Sequence, residues 1–197
     1  MQKLAIFDFD GTITRRDTML ELIRYSKGSA AYYAGLLALA PWLVAYRMGL
    51  IPNWRAKEIM LARFFKGMPV NEFKRLCDNF SQEVVPRLTR PGALARIREF
   101  KQDKTRVVVL TASAEAWVKG WCEQQGLECL ATRLEVRDQR ITGRLAGPNC
   151  YGKEKVNRLR QHLALNDYQE IYAYGDTKGD REMLQLAHFA YYRAFCD

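Results

Sequence analysis

Three short runs of apolar residues in this chain each stop at polar, chemically active ones. Leu4–Phe7 runs into Asp8, Val107–Leu110 into Thr111, and Ile171–Tyr174 into Gly175 and Asp176. Continuous apolar runs bounded by turn residues suit strands buried on both faces of a parallel sheet. Between and after them, helical patterns are predicted at Ala93–Lys101, Glu115–Gln125, Lys155–Leu163 and Asp180–Ala187. Strands alternating with helices predict an α/β fold with a parallel sheet and a site at the strands' carboxyl ends. Within Leu130–Leu145, alternation about Arg137-Asp138-Gln139-Arg140 predicts a β-hairpin. His188–Phe195 reads as a last apolar strand, and Pro86–Gly92 as the return from an inserted segment to the core.

The insert has its own pattern. Gly28–Tyr46 carries no charged residue. At about 1.5 Å per residue it could just reach across a bilayer core, although Pro41 and two glycines interrupt it. Four readings stay open: a buried helix pair broken at Pro41, an oligomer interface, a segment lying on a membrane, and a span. Arg47, Arg55, Lys57 and Arg63 follow, and the 197-residue chain has a net charge of +9. That excess suits anionic headgroups or a solvated face; with no recognition motif, no nucleic-acid partner is expected. The length fits one large domain, or a domain with an insert.

The polar ends of the strands carry the chemistry. Asp8 and Asp10 stand at i and i+2, a spacing that puts both carboxylates on one side of a pleat, and Gly11 allows a sharp turn. Burying like charges together is costly unless a cation compensates. Asp176 and Asp180 are a second acidic pair, so Asp8, Asp176 and Asp180, helped by a backbone carbonyl, form a hard-oxygen set suited to Mg²⁺. Thr111 and Ser113 supply hydroxyls, and Gly152-Lys153-Glu154-Lys155-Val156 opens a helix with lysines. Lys153 and Lys155 are two apart, so only one should face the site. Acids for a metal, a hydroxyl and a lysine are what phosphoryl transfer requires.

Other chemistries find less support. His162 and His188 are the only histidines, too few for a histidine metal site or a Ser-His-Asp triad to assemble easily. Cys77, Cys122, Cys129, Cys150 and Cys196 show no C-x-x-C spacing. Their odd number predicts free thiols in a reducing, cytoplasmic setting, or at the inner face of the membrane.

DFDGT, VVLTAS, GKEKV and GDTKGD, in this order from Asp8 to Asp180, resemble the four motifs of the haloacid dehalogenase (HAD) superfamily. The insert resembles the helical cap of its phosphoserine-phosphatase-like branch. The resemblance implies a Rossmann-like core of residues 1–15 and 88–197 with an α-helical cap of residues 16–87. It implies that Asp8 is the nucleophile and Asp10 the general acid and base. Thr111 would hold a phosphate oxygen, and Lys155, in preference to Lys153, would neutralise the nucleophile. Asp8, the Asp10 carbonyl and Asp176 would hold Mg²⁺, with Asp180 supporting it through water. Gly11, Thr12, Asp17 and Ser113 are the expected substrate contacts. By that resemblance an acid at position 10 implies phosphate-ester hydrolysis, or less often phosphomutase chemistry, since related dehalogenases and ATPases lack it. The apolar cap with its proline, followed by GLIPNWRAKEIML, is similar to HAD-type phosphatidylglycerophosphate phosphatases. That implies a small phosphorylated substrate, with a lipid headgroup first and phosphoserine or a sugar phosphate second. Asp17 stands where phosphoserine phosphatases carry glutamate. A catalytically idle basic binding module is the remaining alternative.

Overall fold

The computed structural model describes residues 2–195; Cys196 lies outside them. Five strands form a parallel sheet: β1 (Gln2–Phe7), β2 (Arg106–Ala114), β3 (Glu128–Thr132), β6 (Tyr168–Gly175) and β7 (Phe189–Tyr192). Their order is β3-β2-β1-β6-β7. The central strand is the most apolar: Leu4, Ala5, Ile6 and Phe7 have no exposed surface. Its register is fixed on both sides, Phe7 pairing with Val109 of β2 and Tyr174 of β6.

Period-two alternation divides the core. Ala5, Phe7, Val107 and Val109 pack with residues of α6 (Pro91–Gln102) and α7 (Glu115–Gln125), among them Phe100, Trp117 and Trp121. Leu4, Ile6, Val108 and Leu110 pack with Leu159 of α8 (Lys153–His162) and Met183 of α9 (Arg181–Leu186). Each such buried side chain contributes about 1.5–3 kcal/mol. The chain moves outward from β1 through β2 to β3 and then resumes on β1's other side with β6. The strand order therefore reverses between β1 and β6, which opens a crevice at their carboxyl ends.

The insert after β1 is helical: α1 (Thr18–Ala38), α2 (Ala40–Arg47), α3 (Asn53–Phe65), α4 (Val70–Glu83) and α5 (Val85–Leu88). It leaves and rejoins the core through paired backbone, with Arg15 N–H donating to Leu88 O and Arg90 N–H to Ile13 O, both at 2.8 Å. The expected hairpin is β4 (Leu134–Arg137) with β5 (Arg140–Leu145). Asp138 and Gln139 at its tip both have positive φ, as a type I′ turn requires. The hairpin also supports the cap, because Ile141 N–H donates to Met68 O and Val70 N–H to Gln139 O, each at 2.9 Å.

Several boundaries differ from the sequence pattern. The stretch read as a plain return contains α5, and α8 begins at Lys153. Asp180 is not in the first turn of α9; it closes a 3₁₀ turn, Lys178–Asp180, and is the N-cap of α9. The last strand is shorter than His188–Phe195 and ends where Arg193 turns to φ 55°. The charge-free run is broken twice, by a kink at Gly28 and by a 64° bend between α1 and α2. No single helix among the described residues is long and apolar enough to cross a membrane. By length and composition only the bent pair α1 and α2 together would reach across one.

Candidate active site

The crevice at the end of β1 and β6 gathers the acids. Asp8 follows β1 directly, its N–H donating to Tyr174 O at 2.9 Å. Asp176 follows β6, and Asp180 comes back from the 3₁₀ turn. One carboxylate oxygen from each of Asp8, Asp176 and Asp180 lies within 4.8 Å of the others. Gly11 is required here: a Cβ on it would stand 2.2 Å from Asp176 Oδ2, and its φ is 81°. Gly175 is required for the same reason, because its Cβ would meet the Asp180 side chain at 2.5 Å. Thr12 Oγ1 donates to Asp176 Oδ1 at 3.3 Å.

Lys155 settles the choice between the two lysines. It is 1% exposed, and its Nζ donates to Asp8 Oδ1 at 2.6 Å and Asp180 Oδ1 at 2.5 Å. Lys153, in the same first turn of α8, is exposed. Burial works against the Lys155 ammonium, but the charges of Asp8 and Asp180 outweigh it and raise its pKa. Burial also pushes Asp8 up to about 7, with the Lys155 charge acting the other way. Asp176 is raised by burial and by the charge of Asp180. Burial alone would raise Asp180 too; Lys155 and the hydrogen bonds from Thr177 reverse that and lower it.

Three carboxylates face one lysine, so two negative charges stay uncompensated when all are ionised. Burial first and the charge of Asp180 after it raise Asp8 and Asp176, and a hard divalent cation among these oxygen donors would offset both. Asp180 is already engaged on both oxygens, Oδ1 by Lys155 and Oδ2 by the N–H groups of Asp176 and Thr177 and by Thr177 Oγ1. It therefore fits a supporting place better than a direct ligand position.

Asp10 is held apart. The strand ends at Phe7, so the shared side of a pleat expected for Asp8 and Asp10 does not exist. The Asp10 carboxylate stands outside the acid cluster, accepting from Thr18 N–H at 2.8 Å and from Ser113 Oγ. Burial, then the charge of Asp17, pushes Asp10 up to about 6. Asp17 itself is exposed and caps α1, accepting from Leu20 N–H at 3.1 Å.

Behind Asp10 lies a chain of hydroxyls. Trp117 Nε1 donates to Thr18 Oγ1 at 3.1 Å, and Thr18 Oγ1 lies 3.2 Å from Ser113 Oγ. Hydroxyls both donate and accept, so this chain can face Asp10 in either protonation state. Thr111, 1% exposed, lies within β2, which runs on past the apolar run to Ala114; it accepts from Ser113 N–H at 3.0 Å and keeps its own proton to donate.

Sequence reasoning missed Thr18, Trp117, Asn149 and, as a site residue, Lys57. Lys57 of α3 reaches from the cap to the core, donating to Ala112 O and, at 3.0 Å, to Asn149 Oδ1. Burial lowers its pKa, with Asp10 and Asp17 opposing. A signal did exist: Lys57 shares helical spacing with buried Met60, Leu61 and Phe64, where a lysine is out of place.

Comparisons with known proteins agree with this geometry. The chain is 36% identical over 194 residues to Protein CicA of Caulobacter vibrioides, covering 98% of this chain and 86% of that one. A phosphoserine phosphatase of Streptomyces coelicolor is 29% identical over 94% of this chain, which spans 42% of that protein. Among solved structures, a Bordetella pertussis Tohama I protein of unknown function superposes with a TM-score of 0.81 at 23% identity, over 95% of this chain and 87% of that one. A substrate-bound phosphoserine phosphatase complex gives 0.72 at 20% identity, over 98% and 86%. These two likenesses establish the fold. Residues 5–185 match the haloacid dehalogenase-like hydrolases, and the chain belongs to that family.

Proposed function

We propose that this hydrolase cleaves phosphate monoesters through an aspartyl-phosphate on Asp8. The observation that carries the reading is the division of labour among the acids: Asp8 is bound to Lys155, whereas Asp10 is held separately by Thr18 and Ser113 with a raised pKa. A carboxylate attacks an anionic phosphate poorly unless positive charge cancels the repulsion, and Lys155 supplies part of it. In the first step Asp8 forms a bond to phosphorus as the bond to the leaving oxygen breaks, and Asp10 gives that oxygen its proton. In the second, the Asp10 carboxylate takes a proton from water, which attacks phosphorus and frees Asp8 and phosphate. Thr111 holds a phosphate oxygen, and Thr12 and Ser113 keep the two acids oriented. Asp8, Asp176 and the Asp10 carbonyl would hold Mg²⁺, with Asp180 in support. When bound, that ion would supply charge neutralisation on the phosphate.

For the substrate we favour a phosphorylated lipid headgroup. A cleft of about 520 Å³ is lined by Pro52, Trp54, Leu145, Pro148 and Tyr151 together with Asn53, Asn149 and Glu58, whose carboxylate is held by Arg55 and Leu145 N–H; this mostly apolar lining suits a lipid better than a small polar metabolite. A soluble metabolite such as phosphoserine is the second reading, favoured by the Streptomyces relative and by the fold of the phosphoserine phosphatase complex. Turnover of phosphatidylglycerophosphate, phosphatidic acid, phosphoserine and sugar phosphates, each with Mg²⁺ and with a chelator, decides between them. We expect Mg²⁺-dependent phosphate release, fastest on a lipid. Turnover of none of them would return the chain to a binding module, and phosphoserine as the best substrate would remove the lipid.

A further inference from the structure

Between Glu21 and Glu58 the chain has no acidic residue, while Arg24, Lys27, Arg47, Arg55 and Lys57 are basic. The same stretch exposes large apolar side chains: Leu37 is 77% exposed, Leu50 70%, Met48 69% and Tyr33 60%, with Trp42 and Trp54 about half exposed. Tyr33 and Leu37 are one turn apart on the outward side of α1, and their neighbours Tyr32 and Leu36 pack inward. The end of α1 is thus apolar on both sides, and α2 has no buried residue at all. A single exposed leucine needs no explanation, but a continuous group of this size marks a surface that something covers.

We propose that the corner formed by the end of α1, by α2 and by the start of α3 docks on the surface of an anionic phospholipid bilayer. Tyr33, Leu37, Trp42, Met48 and Leu50 enter the interfacial layer and Arg47 meets the headgroups, whereas Arg55 is already paired with Glu58 at 3.2 Å. Three features choose this occupant. Apolar tips combined with bases and no acids match an anionic interface, where aromatic side chains are favoured. A second copy docked symmetrically would place the same basic corner against itself, and Glu58 of α3 is already held by Arg55 and by Leu145 N–H. Neither helix alone is long and apolar enough to cross a bilayer, and an outward apolar side on a bent pair suits lying in the interface.

The corner is tied to the site. Asn53 Nδ2 donates to Tyr46 Oη at 3.1 Å, Asn149 Nδ2 donates to Asn53 Oδ1 at 3.0 Å, and Lys57 joins Asn149 to Ala112 O beside Thr111. Docking therefore sets the apolar cleft at the headgroup layer. The inference rests on the phosphatase reading only for what enters that cleft, not for docking itself.

The test is sedimentation of the full chain with vesicles of equimolar phosphatidylcholine and phosphatidylglycerol, and with phosphatidylcholine alone. We expect binding to the anionic vesicles, weakened but not abolished by salt, since screening acts on the bases and not on apolar burial. The combined variant Leu37→Ser, Met48→Ser and Leu50→Ser changes only exposed positions. It should lose about tenfold or more in vesicle affinity while keeping its melting temperature and its turnover of a soluble chromogenic phosphate. Asp8→Asn protein should bind vesicles like the wild type, which separates docking from catalysis. Failure to bind anionic vesicles, or equal binding by the triple variant, overturns the proposal. So does a concentration-dependent dimer abolished by the same substitutions, which would give the corner to a second copy.

Discussion

Two buried lysines serve two regions of this molecule, and their partners differ in kind. In the core, Lys155 is bound by the carboxylates of Asp8 and Asp180, and its pKa is raised. At the seam between cap and core, Lys57 is bound by two neutral oxygens, Ala112 O and Asn149 Oδ1, and its pKa is lowered. Burial disfavours both ammonium groups; only in the core do formal negative charges outweigh it. The core lysine is thus a fixed part of a charge cluster. The seam lysine is a cation held by neutral oxygens between cap and core, and we propose that an anionic substrate meets it there.

The largest expected effect falls on the core. Asp8→Asn should lower turnover by roughly four powers of ten while the fold survives, because the attacking charge is gone and the shape is kept. Near-normal activity in that variant would remove Asp8 from the mechanism. Lys57→Met, by contrast, should reduce turnover by about tenfold to a hundredfold, mainly through KM, if its place is to meet bound substrate. A loss equal to that of Asp8→Asn would erase the distinction between the regions.

Unfolding in urea sharpens the comparison. Lys155→Met leaves buried carboxylates without a cation and should cost about 3–5 kcal/mol. Lys57→Met leaves only neutral acceptors unpaired and should cost no more than about 2 kcal/mol. The reverse order would mean that the seam, not the acid cluster, holds the greater electrostatic strain.

Metal and pH give the next effect. Asp8 has a folded-state pKa raised from 3.8 to about 7. Its contribution to stability is therefore present at acid pH and is lost as pH rises through about 7, where the ionised group becomes a burden. In a chelator at pH 8, Asp8→Asn should melt higher than the wild type, by on the order of a few kcal/mol at most. Adding Mg²⁺ should raise the wild-type melting temperature and do so much less for Asp8→Asn or Asp176→Asn. Equal shifts in all three proteins would place the ion elsewhere.

The smallest effect is a control on the far edge of the sheet. Glu128 accepts from Arg106 Nε at 2.5 Å and Nη2 at 2.8 Å, which lowers its pKa from 4.5. A depressed acid stabilises the fold above its unfolded pKa and loses that stabilisation as pH falls. Being largely exposed, the pair should contribute under about 1 kcal/mol, and Glu128→Gln should flatten stability below about pH 4.5 without touching turnover. A change in turnover would couple this edge to the site.

The chain's own order of residues determined the sheet, the crevice and most of the acids. Apolar runs that end in Asp8, Thr111 and Asp176 are read directly, because a strand buried on both faces must be apolar throughout and its polar end must lie at the rim. Lys155 was distinguishable from Lys153 by resemblance, and burial then chose it. Tertiary structure alone decided the rest. Asp10 turned away from Asp8 because β1 stops at Phe7, so the two-residue period no longer governs where the second acid points. The partners of Asp10 come from Thr18 and Ser113, and Lys57 meets Ala112 and Asn149, pairs separated by up to 103 residues in the chain. No local pattern encodes such contacts; they arise only when the helical insert folds back over the sheet's carboxyl edge. The charge-free run behaves in the same way. Its composition allowed a core pair, an interface, a membrane-surface segment or a span, and only packing settled which sides of α1 and α2 the protein leaves uncovered, since hydrophobicity fixes what must be buried and not against what.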